Sequence, residues 1–409
     1  MGDPVDEDAA AAAAFAAFNE LAGGNDEGSP YPLIAELTAA GPVHPGFPEA
    51  GVGNVEGQTP SFAIYGYDAV TAAYSTPEVF SSAVYKDLTG QVMGRAIIEM
   101  DPPEHREYRL LLQQSFSKAE MVRWRHDIAE PILEAIIDAI RPAGRAELVS
   151  EVLFEYPVRT IAAMIGLPVA THRTFHRLAM ELIAMPVDPD RAIRASATMA
   201  ELCAPVLAER RREPRDDMLS ILAGAEHEGQ RLTDEEIYSF IRLLLPAGAE
   251  TTYRSSGNLL VGLFTHPEQL ELLLAEPERF PAVIDEGLRW ETPLLLSPRI
   301  CAQDTEFFGT EIPAGAGITL SIASANRDPS RWDAPEEFDI TRPRKAHVGF
   351  GYQTHMCLGQ HLAKMETEAL ISALFERLPN LRPDPDAPPP RISGSFLRSP
   401  GRLDVVWDT

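Results

Sequence analysis

Along much of the chain, apolar residues recur every three or four positions, the spacing that lines one face of an α-helix. MVRWRHDIAEPILEAIIDAI (121–140) carries the pattern, as does LTDEEIYSFIRLLLPAGAETTYRSSGNLLVGLFTH (232–266). The second stretch opens on Thr233 and Glu236, at the spacing of a capping box. At about 1.5 Å per residue it would cross a whole domain. Pro246 lies inside it and, having no N–H, predicts a kink. LGQHLAKMETEALISALFERL (358–378) is a third amphipathic run. Strand-like patterns are fewer. PSFAIYG (60–66) is one, and short β-type runs broken by glycine and proline turns follow Pro298 in RICAQDTEFFGTEIPAGAGITLSIAS. SFLRSPGRLDVVW (395–407) predicts a final hairpin, and PDPDAPPP (383–390) a loop. The expected fold is mainly α with a minor β region. Residues 29–409 form a single domain, preceded by an acidic, alanine-rich tail (1–28) read as a frayed or surface helix.

With 409 residues, 45% hydrophobic and 23% charged, the composition is that of a globular protein with a large core. The formal net charge of −26 argues against nucleic acid or an anionic membrane as partner. The N-terminus is acidic where a signal peptide is basic, and no run is long and apolar enough to span a bilayer. Three scattered cysteines, Cys203, Cys301 and Cys357, argue against a disulfide framework and point to a reducing, cytoplasmic setting.

Cys357 lies in HVGFGYQTHMCLGQHLAK (347–364), at or just before the start of an amphipathic helix. Gly349, Gly351 and Gly359 let the backbone turn tightly and come close to a flat object. The orphan amides and positive end of the helix favour a thiolate over a thiol. A thiolate at the edge of a glycine loop suits axial ligation of haem iron. Two other readings are a buried structural cysteine and a zinc site using His355, Cys357 and His361.

The stretch resembles the haem-binding loop of the cytochrome P-450 monooxygenases, Phe-Gly-x-Gly-x-His-x-Cys-x-Gly, through Phe350, Gly351, His355, Cys357 and Gly359. Gln353 stands where the second glycine is usual, which bears on the turn geometry. Other motifs follow in the family's order. EGLR places Glu286 and Arg289 on one helical face. The resemblance implies a buried brace completed by an arginine from APEEFDITR, with Arg342 the candidate because Glu337 occupies a place where arginine is frequent. LLLPAGAETTY (243–253) resembles the oxygen-activating helix. It implies that Thr251 hydrogen-bonds dioxygen, that Glu250 relays protons, and that Gly248 leaves room for a ligand. Neighbouring helical residues point about 100° apart, so Glu250 and Thr251 divide the work. His105 and Arg109 in DPPEHREYRLLL (101–112), with Arg299 and His355, match the partners of the haem propionates. ANRDPSRW (325–332) matches a further bacterial segment.

The resemblance implies a P-450 fold, with haem b (iron protoporphyrin IX) held between the oxygen-activating helix and the cysteine-loop helix and Cys357 on the iron. It implies insertion of one oxygen atom of O2 into a hydrophobic small molecule. Leu244, Ala247, Leu294, Leu295, Leu296 and Phe396 fall where the family lines its substrate cavity, and residues 82–98 and 172–190 fall where a mobile lid is usual. HMCLGQHLAK is similar to the bacterial terpene-alcohol hydroxylases, which favours a terpenoid or aromatic substrate. Electrons come from outside, from a ferredoxin and its NAD(P)H-dependent reductase, with Arg344, Lys345 and Lys364 as docking candidates. A peroxide-driven peroxygenase and a non-catalytic haem-binding protein are the alternatives. The former would have the Glu250–Thr251 pair replaced.

Overall fold

The computed structural model describes residues 4–22, 28–50, 53–54 and 57–409. Helices α1 (Pro4–Leu21) and α2 (Tyr31–Ala40) lead into strands β1 (Val43–Pro45) and β2 (Ser61–Ile64). Next come α3 (Tyr67–Tyr74), β3 (Phe80–Ser81), α4 (Val84–Met93), α5 (Glu104–Leu112), α6 (Lys118–Trp124) and α7 (Glu130–Ile140). A π-helical turn at Arg125–Ala129 joins α6 to α7 and carries the helix past Pro131, which has no N–H to give. Strand β4 (Arg145–Glu147) precedes α8 (Glu155–Ile165), α9 (His172–Ile183), α10 (Pro189–Arg210), α11 (Met218–Gly224) and the small hairpin β5 (Glu226–His227) and β6 (Gln230–Arg231).

The long helix predicted over 232–266 is α12 (Asp234–Leu244) and α13 (Thr251–Thr265), joined by a π-helical turn at Leu245–Glu250. The capping box forms: the Glu236 amide donates to Thr233 Oγ1 at 3.3 Å, and the Thr233 amide donates to Glu236 Oε2 at 2.7 Å. Pro246 sits inside the π turn, so the predicted kink is a local widening of the ladder where one donor is missing. Beyond it lie α14 (Pro267–Ala275), α15 (Phe280–Trp290), β7 (Leu296–Cys301), β8 (Thr305–Phe307), β9 (Thr310–Ile312), β10 (Gly317–Ser321) and α16 (Ile322–Asn326). The cysteine loop then feeds α17 (Gln360–Arg377), followed by β11 (Arg382–Pro383), β12 (Ile392–Ser393), β13 (Ser399–Pro400) and β14 (Asp404–Val406).

The main sheet has the order β1-β2-β10-β7-β3, with β10 parallel to β2 and antiparallel to β7. The predicted terminal hairpin over 395–407 does not form. β13 pairs with β12, whereas β14 joins β11 and β4 in a separate three-stranded sheet. The glycine and proline at 400–401 suggested a tight turn, but the partners that bury Val405 and Leu403 come from further away in sequence.

The helical core gathers Trp124, Leu133 and Ile137 with Tyr156, Phe175, Leu245, Leu260 and Ile371, all buried. Each large apolar side chain removed from water contributes roughly 1.5–3 kcal/mol. A second cluster, including Ile64, Phe80 and Leu320, backs the sheet. Of the N-terminal segment, residues 1–3 and 23–27 lie outside the described residues. α1 itself packs on the domain, with Ala11 and Phe18 buried in the helical core. No described helix is long and apolar enough to cross a membrane.

Candidate functional site

Between α12–α13 on one side and the cysteine loop with α17 on the other lies a cavity of about 350 Å³. The loop forms its floor. Gly351 takes φ +73°, and a Cβ there would stand 3.1 Å from the His355 carbonyl. Gln353 also takes a left-handed conformation, φ +51°. The turn that a second glycine would make is thus made by glutamine, at a cost of about 1 kcal/mol. The Cys357 amide donates to the Phe350 carbonyl at 2.7 Å, folding the loop back on itself. Cys357, Phe350, Gly351 and Gly359 all line the cavity.

The expected preference of Cys357 for the thiolate is corrected by its surroundings. Burial pushes the thiol up, and the Gly359 amide and Arg109 only partly offset it. A thiolate on this floor calls for a cation bound to sulfur. The zinc alternative finds no support: His361 is exposed, and no group of three metal-ligating side chains converges among the described residues. Cys357 borders open space rather than packed core, unlike fully buried Cys203.

At one end of the cavity α5 contributes His105 and Arg109, β7 contributes Arg299, and the loop contributes His355. The two imidazole rings lie 4.3 Å apart. Arg109 has no carboxylate partner among the described residues. Arg299 donates to Ser297 Oγ at 3.0 Å and the Pro298 carbonyl at 2.6 Å. Burial pushes His105 down to about 4, helped by His355 and Arg109. Burial also lowers His355, against the pull of Asp101 4.0 Å away. Asp101 bears on the two histidines and is already engaged by Ser81 and the Ser82 amide, while neither arginine has a carboxylate partner among the described residues. This donor set fits a flat ligand with an anionic edge and a soft metal-binding centre over Cys357.

On the opposite wall are Leu244, Ala247, Gly248 and Thr251. A Cβ on Gly248 would meet the side-chain end of Ile161 of α8 at 3.1 Å, so helix packing also favours a small residue at this cavity-lining position. Thr251 Oγ1 donates to the Ala247 carbonyl at 2.6 Å. Glu250 does not line the cavity. It is buried on the far side of the helix, where its Oε1 accepts from Arg254 Nη2 at 3.1 Å and Nε at 3.3 Å. Burial pushes this carboxyl up to about 7 despite Arg254.

Three expected pocket residues lie elsewhere. Leu294 lines the cavity, but Leu295 and Leu296 are buried in a separate cluster with Ile34 and Ala323. Along β7 the cavity side is taken by Ser297 and Arg299, so alternation turns Leu296 away. Phe396 is 43% exposed; it contributes only its carbonyl, which accepts from the Leu295 amide at 3.0 Å. Instead the apolar lining comes from Tyr74, Tyr85, Ile97, Ile98, Phe240, Leu243 and Ile322. Thr252, Ser255 and Glu366 also border it. Glu366 is buried on α17 with Oε1 unpartnered, and burial holds its carboxyl well above the usual range. In an amphipathic run it resembles a surface acid, and no spacing signal marks it.

Glu286, Arg289 and Arg342 meet in one cluster. Arg289 donates through Nε to Glu286 Oε2 at 2.7 Å and through Nη2 to Oε1 at 2.8 Å. Arg289 also caps the carbonyls of Pro335 and Glu337, at 2.7 and 2.8 Å. Arg342 joins from the other side, Nε to Glu286 Oε1 at 3.3 Å. Asn326, of the 325–332 segment, accepts from the Val348 amide at 2.8 Å and so ties the brace region to the cysteine loop. Of the docking candidates, Arg344 and Lys364 both reach Asp285 at 2.5 Å, and Lys345 donates to the Arg331 carbonyl at 2.6 Å.

A profile of the cytochrome P450 family matches residues 182–407, more than half of the chain, and spans the long helix, the brace and the cysteine loop. The chain belongs to the cytochrome P450 family. Among curated relatives of this P450, the steroid C26-monooxygenase of Mycolicibacterium smegmatis is 33% identical, over 83% of this chain and 86% of that protein. The P450 monooxygenase PikC of Streptomyces venezuelae is 32% identical, over 87% and 85%. Among solved structures, CYP109E1 of Bacillus megaterium in complex with testosterone superposes with a TM-score of 0.84, covering 93% of this chain and all of the other at 27% identity. The chain is accordingly a P450 oxidoreductase with the P450 fold, and the family implies a haem.

Proposed function

We propose that this P450 inserts one oxygen atom of dioxygen into an apolar, ring-containing small molecule of terpenoid, aromatic or steroid type, using haem b bound between α13 and α17. The observation that carries the reading is the arrangement of the cavity: Cys357 on the floor, Arg109 and Arg299 at one end, Thr251 on the wall opposite. Cys357 would be the iron ligand, and Arg109, Arg299, His105 and His355 would hold the propionates. The haem, when bound, supplies dioxygen activation and oxygen insertion.

The chain's own groups divide the remaining work. Thr251 has committed its hydroxyl proton to Ala247, which leaves oxygen lone pairs to accept a hydrogen bond from the cavity side. Glu250, on the other side of the same turn, holds an exchangeable proton near neutral pH. Tyr74, Tyr85, Ile97, Phe240 and Leu294 exclude water and orient an apolar skeleton. The relatives named for steroid oxidation or solved with testosterone support a polycyclic substrate, and the cysteine-loop sequence supports a terpenoid.

Electrons would come from a separate ferredoxin and its NAD(P)H-dependent reductase, with docking on the cysteine side. There Asp285 offsets one of the two charges of Arg344 and Lys364, leaving a local positive excess together with Lys345. The test is a screen of apolar compounds for a low-to-high spin shift of the purified holoprotein, followed by turnover of the binders. Product formation with NAD(P)H, reductase and ferredoxin supports the proposal. Product with hydrogen peroxide alone makes the protein a peroxygenase, and no product under either condition makes it a haem-binding protein without turnover.

A further inference from the structure

α1 lies across the side of the long helix that faces away from the cavity, and it is tied down along its whole length. Near its start, Asp8 meets Arg173 of α9 at 2.6 Å and Glu7 meets Arg177 at 3.1 Å. In its middle, Phe15 stacks on Phe154 with ring centroids 4.7 Å apart and meets Tyr253 edge-on at 6.5 Å. Just past its end, the Ala22 carbonyl accepts from the Ser395 amide at 3.1 Å. Beneath it is Arg254, only 3% exposed, its guanidinium divided among three acceptors. Nη1 donates to Ser399 Oγ at 2.8 Å, Nη2 donates both to Asn19 Oδ1 and to Glu250 Oε1 at 3.1 Å, and Nε donates to the same Glu250 oxygen at 3.3 Å. Charge-assisted N–H···O⁻ bonds run about 2.7–2.9 Å. Both bonds to the carboxylate are longer than that and fall on one oxygen, Oε1, so the fork is not seated across the two oxygens, and Nη2 is shared with a neutral amide from α1.

We propose that α1 is a strap over the proton-holding carboxyl of the long helix, and that Asn19 is a positioning residue that draws Arg254 off Glu250 and so keeps the carboxyl able to hold a proton. The proposal rests on the reading of Glu250 as the relay acid. A guanidinium seated bidentately on a carboxylate holds it ionised, whereas a shared one holds it less firmly. Arg254 is the charged group that bears on Glu250. Charged side chains on the neighbouring elements pair among themselves: Glu7 and Asp8 with Arg177 and Arg173, and Glu155 of α8 with His176 of α9 at 2.9 Å. Asn19 is thus the lever by which α1 reaches the acid.

The test is an infrared pH titration of protonated carboxyl groups in the substrate-free oxidised holoprotein, with the Glu250 band identified by its loss in Glu250→Gln. Asn19→Ala should let Arg254 close on Glu250 and lower the midpoint of that band by about one pH unit. Asn19→Asp, which competes harder for the guanidinium, should raise it. In an Arg254→Lys background, which lacks the fork, Asn19→Ala should leave the midpoint where it is. A band that titrates but moves in neither Asn19 variant reduces α1 to a packing element and overturns the strap alone. If no titrating band is lost in Glu250→Gln, the relay reading falls and the strap with it.

Discussion

Thr251 Oγ1 donates its proton to the carbonyl of Ala247, one helical turn back, at 2.6 Å. That bond spans the π turn that Pro246 opens, and it fixes the hydroxyl with its lone pairs on the cavity side. Thr251→Ala should still bind substrate and accept electrons, yet product formation should fall on the order of a hundredfold as electrons leave as hydrogen peroxide. Thr252→Ala, at a second cavity-lining hydroxyl, should cost far less. Equal product per NAD(P)H in wild type and Thr251→Ala would remove the role from Thr251.

Glu250 carries a pH signature. Its carboxyl ordinarily titrates near 4.5 and is pushed up to about 7 by burial. Between those values the folded protein holds a proton that the unfolded chain has released, so stability falls as pH rises through that window. The melting temperature of wild type, plotted against pH, should therefore decline from about pH 5 to 7 relative to Glu250→Gln. Parallel curves for the two proteins would show that Glu250 is ionised throughout.

The brace has two unequal arms. Arg289 is fully buried and holds both Glu286 oxygens and three backbone carbonyls, while Arg342, less buried, adds one longer bond to Glu286 and reaches the carbonyls of Asp333, Ala334 and Glu337. Removing one partner of a buried pair leaves the other charge uncompensated, a loss of roughly 3–5 kcal/mol. Arg289→Ala should lose about that much in denaturant melts of the holoprotein, and Arg342→Ala about 1 kcal/mol. A loss from Arg289→Ala no larger than that from Arg342→Ala would contradict the assignment.

Asp285 controls the charge of the proposed docking face. Its carboxyl is held below the usual range by His347, Lys364 and Arg344, against burial. Asp285→Asn should leave those cations uncompensated and speed reduction by ferredoxin at low salt, while Arg344→Glu with Lys345→Glu should slow it. Both effects should fade once salt reaches about 0.1 M, where screening acts over about 10 Å. Rates insensitive to both changes at low salt would place docking elsewhere.

Much of this was legible because its signals are local. The 3.6-residue period marked the long helices, the Thr233–Glu236 capping box marked where α12 begins, and the cysteine-loop residues lie within a few positions of one another. Even so, the glycine motif was not decisive for the turn: Gln353 takes the left-handed conformation itself, because the Phe350–Cys357 bond and Gly351 fix the loop around it. What was not legible depends on contacts between distant segments. The leucine run 294–296 gives no sign of which residue faces the cavity, since this is set by pairing of β7 with β10. The 395–407 segment reads as a hairpin until distant β4 and β11 claim β14. Asn19 carries no motif at all, and its link to Arg254 spans more than half of the chain.

The central claim is that Cys357 holds the haem iron. The reduced carbon-monoxide complex of the purified protein should show the red-shifted Soret band of a thiolate-ligated haem. Cys203→Ala and Cys301→Ala should keep that band, whereas Cys357→Ala should lose it. Persistence of the red-shifted band in Cys357→Ala would contradict the account.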